Sequence, residues 1–414
     1  MIKDIPSFVA GSARLVLRGN RWYFAWVGFL GVLVVWGFTA WLQQLDQGLI
    51  VSNMRDQVSW AYYIGNFTFL VGVAAAAVML VIPAYIYNWK PIKEIAIFGE
   101  LLAISAIVMC MLFVLVDMGR PDRVWHLIPI IGSLNLPSSL LGWDVLVLNL
   151  YLVLNLVIVA HLLYTAYFRR PYSSRFVVPL LLFSIPAAVG IHTVTAFVYA
   201  GVAARPFWNS AILAPRFLAS AFCSGPAILL ILFQILRRTT SIDIKNEAIW
   251  KIAELMAYAM FLNLFLFGAE IFREYYSATH HLIHTQYLFS GVHGHSALVP
   301  FAWASLIASV IAFLLFLIPA TRRNLVTLNL GCLLIYSGVF IEKGMALVIP
   351  GMTPDTLGEF YEYVPTLIEV RIGAGIFAIG FLIFTVLCKI AIPILQDSEE
   401  PASDEIPQVE VALP

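Results

Sequence analysis

Charge is what this chain of 414 residues has least of: 12% of it is Asp, Glu, Lys or Arg, against 61% hydrophobic. An ordinary soluble domain carries about twice that charge, so a water-facing surface all round is excluded. The charges also cancel, 24 basic against 24 acidic residues. Zero formal net charge argues against nucleic acid as a partner. Cysteine is scarce. Cys110, Cys223, Cys332 and Cys388 fall singly inside apolar runs with no CxxC spacing. Iron–sulfur ligation and c-type haem attachment within this chain are therefore not expected, and the four read as small apolar fillers. Only His161 and His192 lie well inside apolar runs, at opposite depths. A b-type haem needs axial ligands at one depth, so none is expected. Soluble domains, long linkers and the short alternating segments of a β-barrel are missing too.

What is there is a series of about ten apolar stretches of roughly 20 residues, each long enough to cross a bilayer as a helix. They read as 22–44, 60–88, 95–117, 143–168, 177–203, 212–237, 248–270, 298–319, 325–347 and 369–393. The expected fold is an all-α integral membrane protein. The first run is full length and lacks a small-residue cleavage site, so a retained helix is expected. Arg14, Arg18 and Arg21 precede it, and Lys90, Lys93, Arg169, Arg170, Arg175, Arg237, Arg238, Lys245, Arg322 and Arg323 fall in alternate loops. The positive-inside rule then places both termini in the cytoplasm, in the cell membrane. The expected organisation is a polytopic membrane domain over 1–395 and an acidic, disordered cytoplasmic tail over 396–414.

The stretch Asp117–Ile128 lies where the third run ends, with Arg120, Pro121 and Arg123 following the carboxylate. An ion pair at that depth is costly unless something uses it. It points to chemistry at the face opposite the termini. The loops of that face are longer and rich in aromatics, prolines and histidines. They suit docking of a partner protein, and equally an interfacial aromatic belt. Small residues recur along the second run (Gly65, Thr68, Gly72, Ala75) and the sixth (Ser220, Cys223, Ser224, Ala227). Close helix packing explains them by default, and a crevice for a flat ligand is the alternative.

His192, Thr195 and Tyr199 fall at i, i+3 and i+7 of the fifth run and share one face. Imidazole, hydroxyl and phenol suit a quinone carbonyl and its proton; a polar stripe joining helices is the bland alternative. Asp117 and Arg216 are expected at the same depth. Glu254, Glu270 and Glu342 are intramembrane carboxylates, candidates with His161 for a proton path. Glu254 and Asn263, nine positions apart, sit on opposite faces of one helix and form no wire. Pairing of Glu270 with Arg273 and Glu342 with Lys343 is the structural alternative. His280, His281, His284, His293 and His295 crowd one loop with metal-ligand spacings, but with no cysteine and nothing to fix them. No metal site is expected.

Four passages carry a resemblance: Trp60–Ala76, Asp117–Ile128, Ile191–Arg238 and Asn329–Tyr363. Within them, Ala204–Pro226 is long and specific, and Ile341–Gly351 is well matched. The chain resembles the NrfD/PsrC family of membrane subunits, in particular its ten-helix HmcC/QrcD/DsrP branch tied to dissimilatory sulfur metabolism. The resemblance implies two four-helix bundles plus two extra helices. It implies menaquinone as bound substrate near the outer face and no cofactor in the chain itself. It also implies a DsrO-like, extracytoplasmic ferredoxin-like iron–sulfur subunit among the partners in a multi-subunit complex.

The expected function is therefore quinone-reactive subunit of a menaquinol oxidoreductase complex, inactive alone. Asn66, Asp117, Arg120, His192, Thr195, Tyr199 and Arg216 are the expected headgroup residues. His192 and Asp117 handle protons, and Arg120 and Arg216 hold Asp117 ionised. A secondary transporter, a proton-translocating subunit and a non-catalytic anchor are the alternatives.

Overall fold

The computed structural model describes residues 4–87, 89–128, 131–240, 242–279 and 281–399. Most of the expected tail, 400–414, and His280 lie outside the described residues. Ten spans among the described residues are long and apolar enough to cross a membrane. They coincide with the ten runs read from the sequence. The tenfold recurrence of apolar length leaves the backbone one option, hydrogen bonding within each helix.

A short helix, α1 (Ile5–Leu17), leads into the first span, α2 (Arg21–Gln47). Asn20 caps α2, its side chain accepting from the Tyr23 N–H at 2.9 Å. The second span is α3 (Tyr62–Ala74) and α4 (Ala76–Val81), ending in a π turn at Ile82–Ile86 that contains Pro83. α5 (Lys90–Lys93) and α6 (Ala96–Asp117) form the third. α7 (Leu140–Tyr167), α8 (Ser174–Ala200), α9 (Leu213–Thr239) and α10 (Asn246–Ser277) follow as single helices. α11 (Leu282–Phe289) lies between spans, before α12 (Val299–Leu317) and the short α13 (Pro319–Arg323). The ninth span, α14 (Leu325–Lys343) and α15 (Met345–Met352), is broken at Gly344. The last is α16 (Leu367–Glu399).

Spans two to five pack together as one bundle, α3–α4, α6, α7 and α8. Spans six to nine form a second, α9, α10, α12 and α14–α15. α9 joins them by packing on α3, α4 and α8. The small-residue stripes explain how. A side chain at Gly72 of α3 would stand 3.4 Å from Ser224 Oγ and 3.7 Å from Ala221 Cα of α9. At Gly72 the two stripes serve close packing.

The two remaining spans, α2 and α16, pair with each other. A Cβ on Gly37 would meet Gly375 Cα at 2.7 Å, so the backbones touch and only glycine fits. α16 begins with a capping box: Thr366 Oγ1 accepts from the Glu369 N–H at 3.3 Å, and Glu369 Oε2 from the Thr366 N–H at 2.8 Å. The same carboxylate accepts from Asn53 N–H and Tyr363 O–H, tying the loop after α2 to α16.

Two ends follow. One carries the long loops after α2, α6, α8, α10 and α15. The other carries α1, the short turns and most arginines. Here they are the loop-rich and arginine-rich ends.

Candidate functional site

α8 delivers its polar face as the spacing requires. His192, Thr195 and Tyr199 are all buried, 1%, 0% and 1% exposed. Each faces a different neighbour. The Tyr199 and Thr68 hydroxyls share a short hydrogen bond across α8 and α3. The Thr195 hydroxyl donates to Asp144 Oδ1 of α7 at 2.7 Å. His192 Nδ1 lies 2.8 Å from the Ala188 carbonyl. A carbonyl only accepts, so Nδ1 carries the proton and Nε2 offers a lone pair. That Nε2 is buried with no partner among the described residues.

Asp117, the last residue of α6, contributes a second open acceptor: its Oδ1 is buried and unpartnered among the described residues. Hydrogen bonds thus join the α8 face to Asp144 of α7 and Thr68 of α3 in the half of the bundle toward the loop-rich end, the end at which α6 closes with Asp117.

An aromatic roof covers them. Trp208, fully buried in the turn Pro206–Trp208, has its ring centre 5.0 Å from that of Tyr199 and 5.8 Å from that of Trp60. Its indole N–H donates to the Leu347 carbonyl at 2.9 Å. A Cβ on Gly351 would stand 1.9 Å from the Trp208 ring, so α15 can host this indole only with glycine there. Arg205 donates to the Met352 carbonyl at 2.8 Å and fixes the same turn.

Arg120 and Arg216 do not hold Asp117 as expected. Arg120 is exposed and forms a bidentate pair with Asp122, at 2.9 and 3.0 Å. That pair depresses the Asp122 carboxyl from its usual range. The motif turns into a helical loop, Pro121–Leu127, which carries Arg120 away from the bundle. Asn66 is buried, but its Nδ2 bonds back to the Tyr62 carbonyl at 2.7 Å. It stands two residues, about 200°, around α3 from Thr68.

Arg216 builds a second cluster instead. It donates to Glu342 Oε1 at 2.8 Å and pairs with Glu270. Asn263 donates to the other Glu342 oxygen at 3.2 Å, and the guanidinium lies 4.6 Å over Phe267. The structural alternative for these carboxylates also differs: Arg273 pairs with Glu274, and Lys343 donates to the Phe217 carbonyl at 2.5 Å. A narrow cleft of about 40 Å³ lies beside this cluster, lined by Phe207, Phe267, Phe289 and Leu347. Phe217 and Lys343 stand between the clusters; the Phe217 ring is 6.1 Å from that of Tyr199.

The four residues read as a proton path do not meet. Glu254 sits at the arginine-rich end in contacts with Lys251, Tyr258 and Arg322. His161 packs on Phe176, 5.1 Å between ring centres. Glu270 and Glu342 belong to the Arg216 cluster at the other end. Among the described residues, no group of three or more His, Cys, Asp or Glu could hold a metal ion. His284, in the histidine-rich loop, donates through Nδ1 to the Pro350 carbonyl, 2.7 Å away. Burial lowers its pKa from the usual 6.5. His295 stacks on Phe360.

Sequence reasoning missed Asp144. It stands one turn inside α7, and the rule that singled out Glu254 applies to it equally. It also missed Glu100 of α6, whose two oxygens are buried with no partner among the described residues. Thr68, read by default as a packing residue with a ligand crevice as the alternative, bonds to Tyr199 of the candidate site.

The model of the family described as polysulphide reductase, NrfD, matches residues 50–354. The chain is similar to a putative dimethyl sulfoxide reductase membrane subunit of Halobacterium salinarum, 26% identical over 86% of this chain and 88% of that one. It is similar to a selenate reductase subunit of Mesobacillus selenatarsenatis, 23% identical over 92% and 96%. It is also similar to an Hdr-like menaquinol oxidoreductase integral membrane subunit of Archaeoglobus fulgidus, 24% identical over 92% and 96%. The matched region holds both four-helix bundles and leaves out α2 and α16.

Proposed function

The chain belongs to the polysulphide reductase NrfD family, and from that premise we propose that it is the quinone-reactive membrane subunit of an oxidoreductase complex. Its substrate is menaquinol or menaquinone, and its headgroup site is the pocket of α6, α7 and α8. The menaquinol oxidoreductase relative supports the substrate class. The single observation that carries the site is the pair of buried, open acceptors, His192 Nε2 and Asp117 Oδ1, beside the Asp144–Thr195 and Thr68–Tyr199 pairs.

Oxidising a quinol removes two protons and two electrons. His192 Nε2 accepts one hydroxyl hydrogen bond and takes its proton; Asp117 takes the other. Thr195 and Asp144 hold the α8 face in register. Electrons pass to a ferredoxin-like iron–sulfur subunit seated on the loop-rich end, which is then the extracytoplasmic face. Quinone reduction uses the same groups in reverse. Membership of a complex of dissimilatory sulfur metabolism, in the cytoplasmic membrane with both termini inside, is the setting we assign. The one-domain organisation over 1–395 with an acidic tail belongs to this proposal.

Oxidation of a menaquinol analogue by the assembled complex tests it. Asp117→Asn removes a proton acceptor, so turnover falls and its pH dependence moves. Unchanged turnover at every pH would refute the site.

One observation favours a second reading, proton movement across the first bundle. Asp144, Tyr151 and Asn155 stand on one face of α7, and Glu100 lies buried and unpartnered on α6 toward the arginine-rich end. Proton uptake by vesicles holding the complex, lost in Glu100→Gln with quinol oxidation retained, would establish it.

A further inference from the structure

At the arginine-rich end, far from the candidate quinone pocket, α1 packs on the chain through Phe8, whose ring meets Tyr164 and Tyr167 edge-on at 5.7 and 5.5 Å. Phe8, Ser12 and Leu15 form its inner face, while Val9 and Leu17 are exposed, 58% and 75%. The first, fourth and tenth spans all end here, so α1 has the form of a helix lying in the interface with an apolar strip toward lipid.

Beside that strip is a polar cavity of about 270 Å³. It is lined by Arg14 of α1 and Arg18 at its C-cap, Arg169 of the α7–α8 turn, and Asp397 and Pro393 of α16. Three arginines and one aspartate thus share its wall. Among the described side chains, which leave out those of Ser398 and Glu399, no carboxylate stands within ion-pair distance of any of the three; the adjacent Arg170 pairs with Asp4 at 3.4 Å.

Arg169 supplies an independent observation. The end of α7 closes as a Schellman turn: the Arg169 N–H donates to Ala166 O and the Arg170 N–H to Thr165 O, both at 2.9 Å. The residue at that left-handed position is commonly glycine, yet here it is arginine with φ +50°. A side chain is kept at a strained position where glycine would relax the backbone. Arg169 lines the cavity.

We propose that this cavity binds the phosphodiester headgroup of an anionic phospholipid, with Arg14, Arg18 and Arg169 as phosphate ligands and the acyl chains running along the exposed strip of α1. Guanidinium groups suit a phosphate by bidentate donation. The neighbouring apolar strip is what selects a lipid over free phosphate. The site anchors α1, and through it the first and last spans, to one leaflet.

The test is native mass spectrometry of the full chain in its complex, titrated with phosphatidylglycerol and, separately, phosphatidylcholine. Retention of phosphatidylglycerol over phosphatidylcholine is expected, falling about fivefold for each guanidinium removed in Arg14→Gln and Arg18→Gln, both on an exposed face. Arg169→Gly separates binding from folding, because it relaxes the turn. It should lower phosphatidylglycerol retention while leaving thermal stability equal or higher. Equal retention by wild type and all three variants overturns the proposal. So does complete displacement of phosphatidylglycerol by inorganic phosphate, which would make the cavity a free-anion site. Crosslinking from Arg18→Cys to residues 400–414 in lipid-saturated complex would also overturn it, since the chain's own acidic segment would then fill the cavity.

Discussion

The Thr195 hydroxyl donates to the Asp144 carboxylate at 2.7 Å across the α7–α8 interface. This bond fixes the rotation of α8, and with it the direction of His192 and Tyr199. A carboxylate that helical spacing does not single out is thus the group that orients the residues it does.

Asp144→Asn keeps one acceptor for Thr195 but removes the charge. It should lower quinol turnover less than Asp144→Leu, which leaves the Thr195 hydroxyl without its partner. Steady-state kinetics of the two variants in the assembled complex check the order. Equal losses would assign the effect to charge alone.

His192→Ala removes the lone pair at Nε2 and should reduce turnover by about 10²–10⁴, the usual contribution of a positioned base. His192→Gln restores an acceptor and should recover substrate binding but not rate. Kinetics resolving KM from kcat read this. A purely structural His192 would give parallel changes in both.

Arg216→Gln leaves Glu270 and Glu342 facing each other in a nearly buried site. Removing one partner of such a cluster costs about 3–5 kcal/mol. Arg216→Gln with Glu342→Gln should be more stable than Arg216→Gln alone, because the uncompensated charge is gone. Thermal unfolding of the purified complex measures the coupling; strict additivity would show that the three side chains act separately.

Gly351→Ala drives a Cβ into the Trp208 indole and should cost about 1–3 kcal/mol, the range for overpacking. Loss of Tyr199-dependent activity should accompany it, since Trp208 roofs that phenol. Trp208→Phe in the same background should restore part of the stability. No change in melting temperature for Gly351→Ala would contradict the close fit.

His284 gives a pH dependence with a definite sign. Its folded pKa lies below 6.5, so the unfolded chain binds the proton more readily. Stability is full above about 6.5 and falls as pH drops toward the lowered folded value. His284→Gln should flatten the melting temperature between pH 7 and the acid side, roughly the window in which free histidine titrates. A steeper acid slope in the variant would reverse the assignment.

The ten spans were legible because apolar length alone specifies them. The shared face of His192, Thr195 and Tyr199 was legible for a similar reason, helical period. What periodicity does not encode is which helix each face meets. Arg216 lies in the first turn of α9 and Asp117 in the last of α6, yet Glu270 and Glu342 claim the arginine, because α9 packs far more on α10 and α14 than on α6. Arg120 follows Asp117 by three residues, but Pro121 starts a new turn and Asp122 offers the nearer carboxylate. Charge spacing along the chain suggested one site where packing made two.

The central claim is that the quinone headgroup sits in the α6–α8 pocket of the first bundle. The most direct measurement is a cryo-EM map of the assembled complex with a bound menaquinone analogue. The account predicts headgroup density with one oxygen within hydrogen-bond distance, about 2.6–3.2 Å, of His192 Nε2 and the other toward Asp117. A headgroup instead in the cleft beside Arg216, Glu270 and Glu342, with the His192 pocket closed around its own side chains, would contradict it.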